Sequence, residues 1–157
     1  MDDDIFRLYE DRRGDVWIAT VDASRNGLMR WERATETFHD YSRAAAEAFH
    51  SYSTGAAAAS SLILATAFCE DSSGNLWIGF NGGLLRYAAD RFEYFDDATG
   101  AQDAEAPWVL ALHLDQYGRL WVGVGSNGLI RADDPAADRP RFRQYTTRDG
   151  LASNEVS

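Results

Sequence analysis

Apolar and polar positions alternate with a period of two in three separate stretches of this chain, around Phe6/Leu8, Thr66/Phe68 and Leu110/Leu112. Such alternation predicts a β-strand with one face turned to a core. Each stretch runs into the same phrase, Asp-x-x-Gly-x-x-Trp, at Asp11-Gly14-Trp17, Asp71-Gly74-Trp77 and Asp115-Gly118-Trp121. The carboxylate can accept hydrogen bonds from backbone N–H groups just ahead of it, and the Gly can take a positive φ without a Cβ penalty, so the phrase predicts a tight turn. A second strand follows it in each copy, from Val16 to Thr20, Leu76 to Phe80 and Leu120 to Val124. This strand is apolar on both faces, as expected of one sandwiched between neighbouring sheets. Two residues after each Trp, on the same face, stands Ala19, Gly79 or Gly123, small enough to admit a bulky group from an adjacent sheet. Asn26-Gly27, Gly82-Gly83 and Asn127-Gly128 then open a third strand. Paired aromatics at Phe38/Tyr41, Phe92/Phe95 and Phe142/Tyr145 mark a fourth.

One copy therefore reads as a four-stranded antiparallel meander, and the copies as an internal repeat. Trp77 and Trp121 stand 44 residues apart, a period that belongs to propeller blades. Trp17 and Trp77 stand 60 apart, the same unit carrying an insertion. The expected fold is all-β, a β-propeller fragment of about three four-stranded antiparallel blades that does not close on its own, because closed propellers take about four to eight. The expected division is blade 1 over residues 1–42, an Ala-rich inserted loop over 43–61, blade 2 over 62–100, blade 3 over 101–148 and a connector toward a further blade over 149–157. Within the insert, Ala44 to Phe49 has the composition of a helical turn or two, while Ser51 to Gly55, the run Ala56 to Ala59 and Ser60-Ser61 read as loop. The insert reads as surface decoration, with a ligand-binding loop as the alternative. Three blades leave two apolar faces without neighbours, which predicts self-association or partial disorder.

The pattern of an apolar residue, Glu-Asp, Gly, Leu-Trp-Ile-Gly and then Gly-Leu-x-Arg with an aromatic tail resembles the two-component regulator propeller repeat. The match is fullest from Cys69 to Gly79, and the copies at Glu10 to Ala19 and Leu114 to Gly123 depart from it slightly. The closing run Asp149 to Val156 resembles the connector of that family into a following blade. The resemblance implies the ligand-sensing, non-catalytic propeller of a bacterial signal-transduction protein, on the periplasmic or extracellular side of the inner membrane. Its partners would be a small solute or glycan and a downstream histidine kinase or diguanylate cyclase module. The repeat is distinct from the Asp box of sialidases, which has one residue between Asp and Gly, and from quinoprotein and WD blades, whose Thr-Gly and Trp-Asp signatures are missing. A propeller enzyme of the lyase or glycosidase kind and a protein-binding scaffold stay open as alternatives.

Charge narrows the partners. With 25 acidic against 15 basic residues, a net charge of −10 and a pI near 4.6, nucleic acid and anionic membrane are disfavoured because both would repel the chain. No stretch of the sequence approaches the ~20 apolar residues of a membrane span, and Met1-Asp2-Asp3-Asp4 is the reverse of a basic leader, so any secretion signal is expected upstream. The single Cys69 reads as a small buried hydrophobe.

Candidate chemistry is sparse. His39, His50 and His113 share no metal-ligand spacing, and the sequence has neither a phosphate loop nor a nucleophile elbow. No catalytic, cofactor-binding or metal residue is predicted, and the ligand-binding residues are not assigned. Asp96-Asp97 and Asp133-Asp134 read as solvated loop carboxylates. Asp11, Asp71 and Asp115 read as turn-formers. Arg30, Arg86 and Arg131 recur at one blade position and are expected to meet a shared structural need, such as a hydrogen bond to a neighbouring blade.

Overall fold

The computed structural model describes residues 4–22, 26–51, 63–95 and 107–156. Twelve strands form three four-stranded antiparallel sheets, each in sequential order. The first blade is β1 (Asp4–Glu10), β2 (Val16–Val21), β3 (Asn26–Glu32) and β4 (Thr37–Asp40). Helix α1 (Ser42–His50) follows. The second blade is β5 (Ala65–Glu70), β6 (Leu76–Phe80), β7 (Gly83–Ala88) and β8 (Arg91–Phe95), and the third is β9 (Val109–Leu114), β10 (Leu120–Val124), β11 (Gly128–Ala132) and β12 (Phe142–Tyr145). The sheets do not close into a ring. The expected Ala56 to Ala59 loop, Ser60-Ser61 and Asp96-Asp97 lie outside the described residues.

The turn chemistry is the same in every blade. Gly14, Gly74 and Gly118 adopt φ of 81°, 82° and 77°, and each amide donates to the carbonyl of the Asp three residues before it. The first strands β1, β5 and β9 stand together along one edge of the stack. The Arg7 guanidinium of β1 donates to the Thr66 carbonyl of β5 at 3.0 Å, and the Thr66 hydroxyl donates to the Val109 carbonyl of β9.

Two apolar layers fill the gaps between blades. Trp17, Ala19 and Leu28 of the first blade meet Leu76, Ile78, Phe80 and Leu85 of the second. On its other side the second blade presents Trp77 and Leu84 to Val109, Leu120, Val122, Val124 and Ile130 of the third. Strand β6 is buried along its whole length because its side chains go alternately to these two layers. The small residue after the Trp does admit a neighbour: a Cβ on Gly79 would stand 2.4 Å from Val109 Cγ1. At the far side of the third blade the closing run takes that place, with Val156 Cγ1 2.8 Å from the position of a Cβ on Gly123. The Val156 amide donates to the Gly125 carbonyl and the Gly128 amide to the Asn154 carbonyl.

The first part of the Ala-rich insert forms the helix expected around Ala44 to Phe49, and that helix is packed against the blades rather than decorating the surface. Ala45 and Phe49 lie one turn apart on the same side of α1 and are both buried. The Phe49 ring meets Phe80 at 5.3 Å and Tyr94 at 5.1 Å, both edge to face. Burying that aromatic against the second blade supplies the tertiary packing that a nine-residue helix needs in water.

Among the described residues no sheet faces the outer side of the first blade, and Ile5, Phe6 and Leu8 are exposed. Apolar residues clustered on one strand mark an association surface. The chain is therefore expected to sediment as a concentration-dependent mixture of monomer and larger species. The variant Leu8→Lys, which places a charge on that strand, is expected to shift the distribution toward monomer; an unchanged distribution would exclude this face as the contact.

Candidate functional site

The repeated polar residues form one constellation per blade. Asp71 Oδ1 accepts from the Ser73 and Asn75 amides, both at 3.0 Å, and its Oδ2 accepts from Asn75 Nδ2 at 2.9 Å and from the Trp77 indole N–H at 3.1 Å. Asp11 does the same with Arg13, Asp15 and the Trp17 indole. Asp115 binds the Tyr117 and Arg119 amides, the Arg119 guanidinium at 2.6 Å and the Trp121 indole at 2.9 Å. The carboxylates are turn-formers, as expected from the sequence. Their bond to the Trp six residues on was not anticipated, although the constant spacing of Asp and Trp carried the signal. Burial alone would raise the Asp115 carboxyl, but its bonds from Trp121, Arg119 and Tyr117 outweigh it and hold the group well below the usual carboxylate range.

The recurrent arginines share a different role from the one expected. Each guanidinium lies over the Trp of its own blade and over an outer aromatic: Arg30 over Trp17 and Tyr41, Arg86 over Trp77 and Phe95, Arg131 over Trp121 and Tyr145. Centroid distances run from 5.1 to 5.6 Å, within reach of cation–π attraction. Among the described residues only Arg86 makes the expected bond to a neighbouring blade, donating to the carbonyls of Pro135 at 2.9 Å, Ala137 at 2.7 Å and Asp138 at 3.4 Å. It also bonds Glu93 opposite it in the register. Arg131 pairs with Asp133 of its own blade at 2.7 Å. Arg30 reaches Asp15 and Glu32 only at 3.9 Å.

Trp17 and Trp77 are 1% and 0% exposed, whereas Trp121 is half-buried. The third Trp thus departs from the burial of the other two. Trp17 is covered by Tyr87 of the second blade and Trp77 by Phe142 of the third, while among the described residues the groups stacked on Trp121, Tyr145, Arg119 and Arg131, all come from its own blade.

Between the first two blades, on the side of the Asp turns, lies a polar cleft of about 220 Å³. Asp11 and Arg13 come from the first Asp turn, Ser73 to Asn75 from the second, and Ala88 to Asp90 from the β7–β8 hairpin, with Trp17, Arg30, Glu70 and Tyr87 toward the interior. Glu70 is buried and accepts from the Arg12 amide at 2.9 Å and from the Tyr9 hydroxyl at 3.4 Å. Burial and the Glu70 charge push the Tyr9 hydroxyl up to about 12, and burial with a bond to Tyr41 pushes Tyr87 higher still. The Tyr87 hydroxyl bonds Asp90 at the cleft rim.

The remaining candidates do not converge. His39 lies on β4, His50 ends α1 and His113 is exposed on β9, and among the described residues no group of His, Cys, Asp or Glu could hold a metal ion. Half-buried Cys69 has its thiol pushed up by burial, which disfavours the thiolate. Asp133 and Asp134 are exposed, as are Arg139, Arg141 and Arg143. No helix among the described residues is long and apolar enough to cross a membrane.

Residues 1–22 and 60–82, the inner hairpins of the first two blades, match the family model of the two component regulator propeller. Those two stretches are similar to two-component regulator propeller repeats. Its fold is similar to that of the extracellular domain of what is described as a one component system from B. thetaiotaomicron, with 18% identity and a TM-score of 0.64 over 97% of this chain and 18% of that one. A hybrid two component system of the same organism has an extracellular domain similar at 21% identity and a TM-score of 0.64, over 95% and 18% of the two chains. A catalytically inactive virginiamycin B lyase from Staphylococcus aureus shares the propeller at 12% identity and a TM-score of 0.58, over 94% and 43%. The chain thus spans under a fifth of the length of the two B. thetaiotaomicron domains. None of the curated proteins matches it.

Two outcomes follow from the constellation. Trp77→Ala is expected to cost about 3–5 kcal/mol, the range for deleting a large buried aromatic, and Trp121→Ala clearly less. Urea unfolding of the two variants measures the difference, and equal losses would contradict the account of Trp121 as a half-covered residue. For Tyr9 the folded state favours the protonated hydroxyl. The stabilisation this brings is complete below about pH 10, the ordinary value, and is lost as pH rises through about 12. Tyrosinate absorbance is expected to show a late-titrating component that Tyr9→Phe reduces.

Proposed function

We propose that the chain is part of the solute-sensing, non-catalytic propeller of a bacterial signal-transduction receptor. The propeller stands on the periplasmic or extracellular side of the inner membrane and is coupled in its parent polypeptide to a histidine kinase or diguanylate cyclase module. The observation that carries this reading is the family match on the Asp-to-Trp hairpins of the first two blades. The likeness to extracellular domains of one- and two-component systems along nearly the whole chain is consistent with it. The polar residues that recur in every blade also support a non-catalytic reading, because the Asp carboxylates are engaged by turn amides and indoles and the Arg guanidinium groups by aromatic rings. Net charge of −10 biases the propeller away from polyanions and toward a neutral sugar or a cationic solute. The exposed Arg139, Arg141 and Arg143 form a local basic segment that works against this bias.

Calorimetric screening of the parent protein against glycans and small solutes, with output activity measured beside it, tests the reading. Saturable binding that changes phosphorylation or cyclic dinucleotide synthesis is the expected result. Turnover of a bound solute by the propeller itself would overturn it in favour of an enzyme of the lyase or glycosidase kind.

A further inference from the structure

The blades act as controls for one another at the two inter-blade boundaries. At the boundary between the second and third blades, Arg86 is fully provided for. Glu93 stands opposite it in the sheet, and the long β11–β12 loop, residues 133–141, brings the carbonyls of Pro135, Ala137 and Asp138 onto its guanidinium. At the boundary between the first and second blades, both providers are replaced. His39 stands opposite Arg30 where Glu93 faces Arg86. The loop is replaced by a tight hairpin turn at Ala89 and Asp90, both at positive φ. That turn stops short of Arg30 and leaves the polar cleft open.

The Arg30 guanidinium consequently makes no hydrogen bond among the described residues, coming no nearer than 3.9 Å to Asp15 and Glu32, although the residue is only 9% exposed, and its Nε is buried without a hydrogen-bond partner. Buried donors without acceptors are costly, and here they line a cleft into which a molecule of one ring fits, well below the ~300 Å³ at which drug-sized sites begin. The charges of the wall define what suits it. Asp11, Glu70 and Asp90 are acceptors, Arg13 and Arg30 are donors, and the carboxylates outnumber the guanidinium groups. An anion meets the carboxylates and a cation meets Arg30. A hydroxyl, which both donates and accepts, satisfies both kinds of wall.

We propose that this cleft binds a small neutral polyhydroxylated solute, a saccharide ring. Its oxygens accept from Arg30 as the Pro135 and Ala137 carbonyls do from Arg86, and its hydroxyls donate to the Glu70 and Asp90 carboxylates. This assignment rests on the solute-sensing reading above and gives that reading a location and a ligand class.

The test is a two-dimensional NMR titration of the chain with glucose, galactose, mannose and maltose, and with sodium sulfate as an anionic control. The Arg30 side-chain N–H and the Ala89 and Asp90 amides are followed. Saturable shifts of these signals by at least one saccharide and not by sulfate are expected. Losing charged hydrogen bonds makes Arg30→Gln about tenfold weaker or worse. Ser73→Trp, a change at the exposed rim that touches no buried packing, is expected to block binding with the Trp121 indole signal unmoved, and it decides the matter if Arg30→Gln fails to fold. Sulfate shifting the cleft where sugars do not, or no saccharide reaching it, overturns the proposal. Saccharide shifts that survive both variants place the sugar elsewhere, which sinks this site while leaving the sensor reading intact.

Discussion

The carboxylate at the head of each blade ties together everything that defines the repeat. One oxygen of Asp71 closes the turn through two backbone amides and the other fixes the Trp77 indole. A tight turn and the rotamer of a large core residue are therefore set by a single ionised group. Because an anionic acceptor strengthens each of these bonds, the hairpin and the inter-blade layer stand or fall together. Replacing Asp71 by an apolar residue would leave a completely buried indole N–H and two turn amides without an acceptor, a far larger loss than that of an ordinary turn residue.

On this common frame the blades differ in what their neighbours provide. The same Trp is sealed where a sheet follows and half-open where only the closing run follows. The same Arg stacks on the same two rings throughout, yet its N–H groups find partners that depend on one loop length and one outer-strand residue. Local sequence builds the unit, and the adjoining unit decides whether a position is core, surface or binding wall.

Much of this was legible in the sequence. The period-two strands, the Asp and Gly of the turn and the small residue after each Trp are local signals, and three copies in register made them mutually supporting. The indole bond was hidden because a six-residue spacing has meaning only once the hairpin places both side chains on one face. The packing of α1 was hidden because an Ala-rich run is helix or loop according to what receives it, and Phe49 is received by Phe80 and Tyr94 of a blade that comes later in the chain. The cleft was hidden for a similar reason. It arises from the shortness of the Ala89-Asp90 turn relative to the 133–141 loop, and repeat alignment discards length differences as noise.

The contact of Gly79 with Val109 bears on geometry at a larger scale. Side-chain bulk at this point acts as a wedge between consecutive sheets, and the angle between sheets determines how many are needed to complete a circle. Ala19 at the first boundary and glycine at the second and third are different wedges in one stack. The number of blades in a ring is thus open to adjustment one methyl group at a time, without disturbing the hairpins that give each blade its shape.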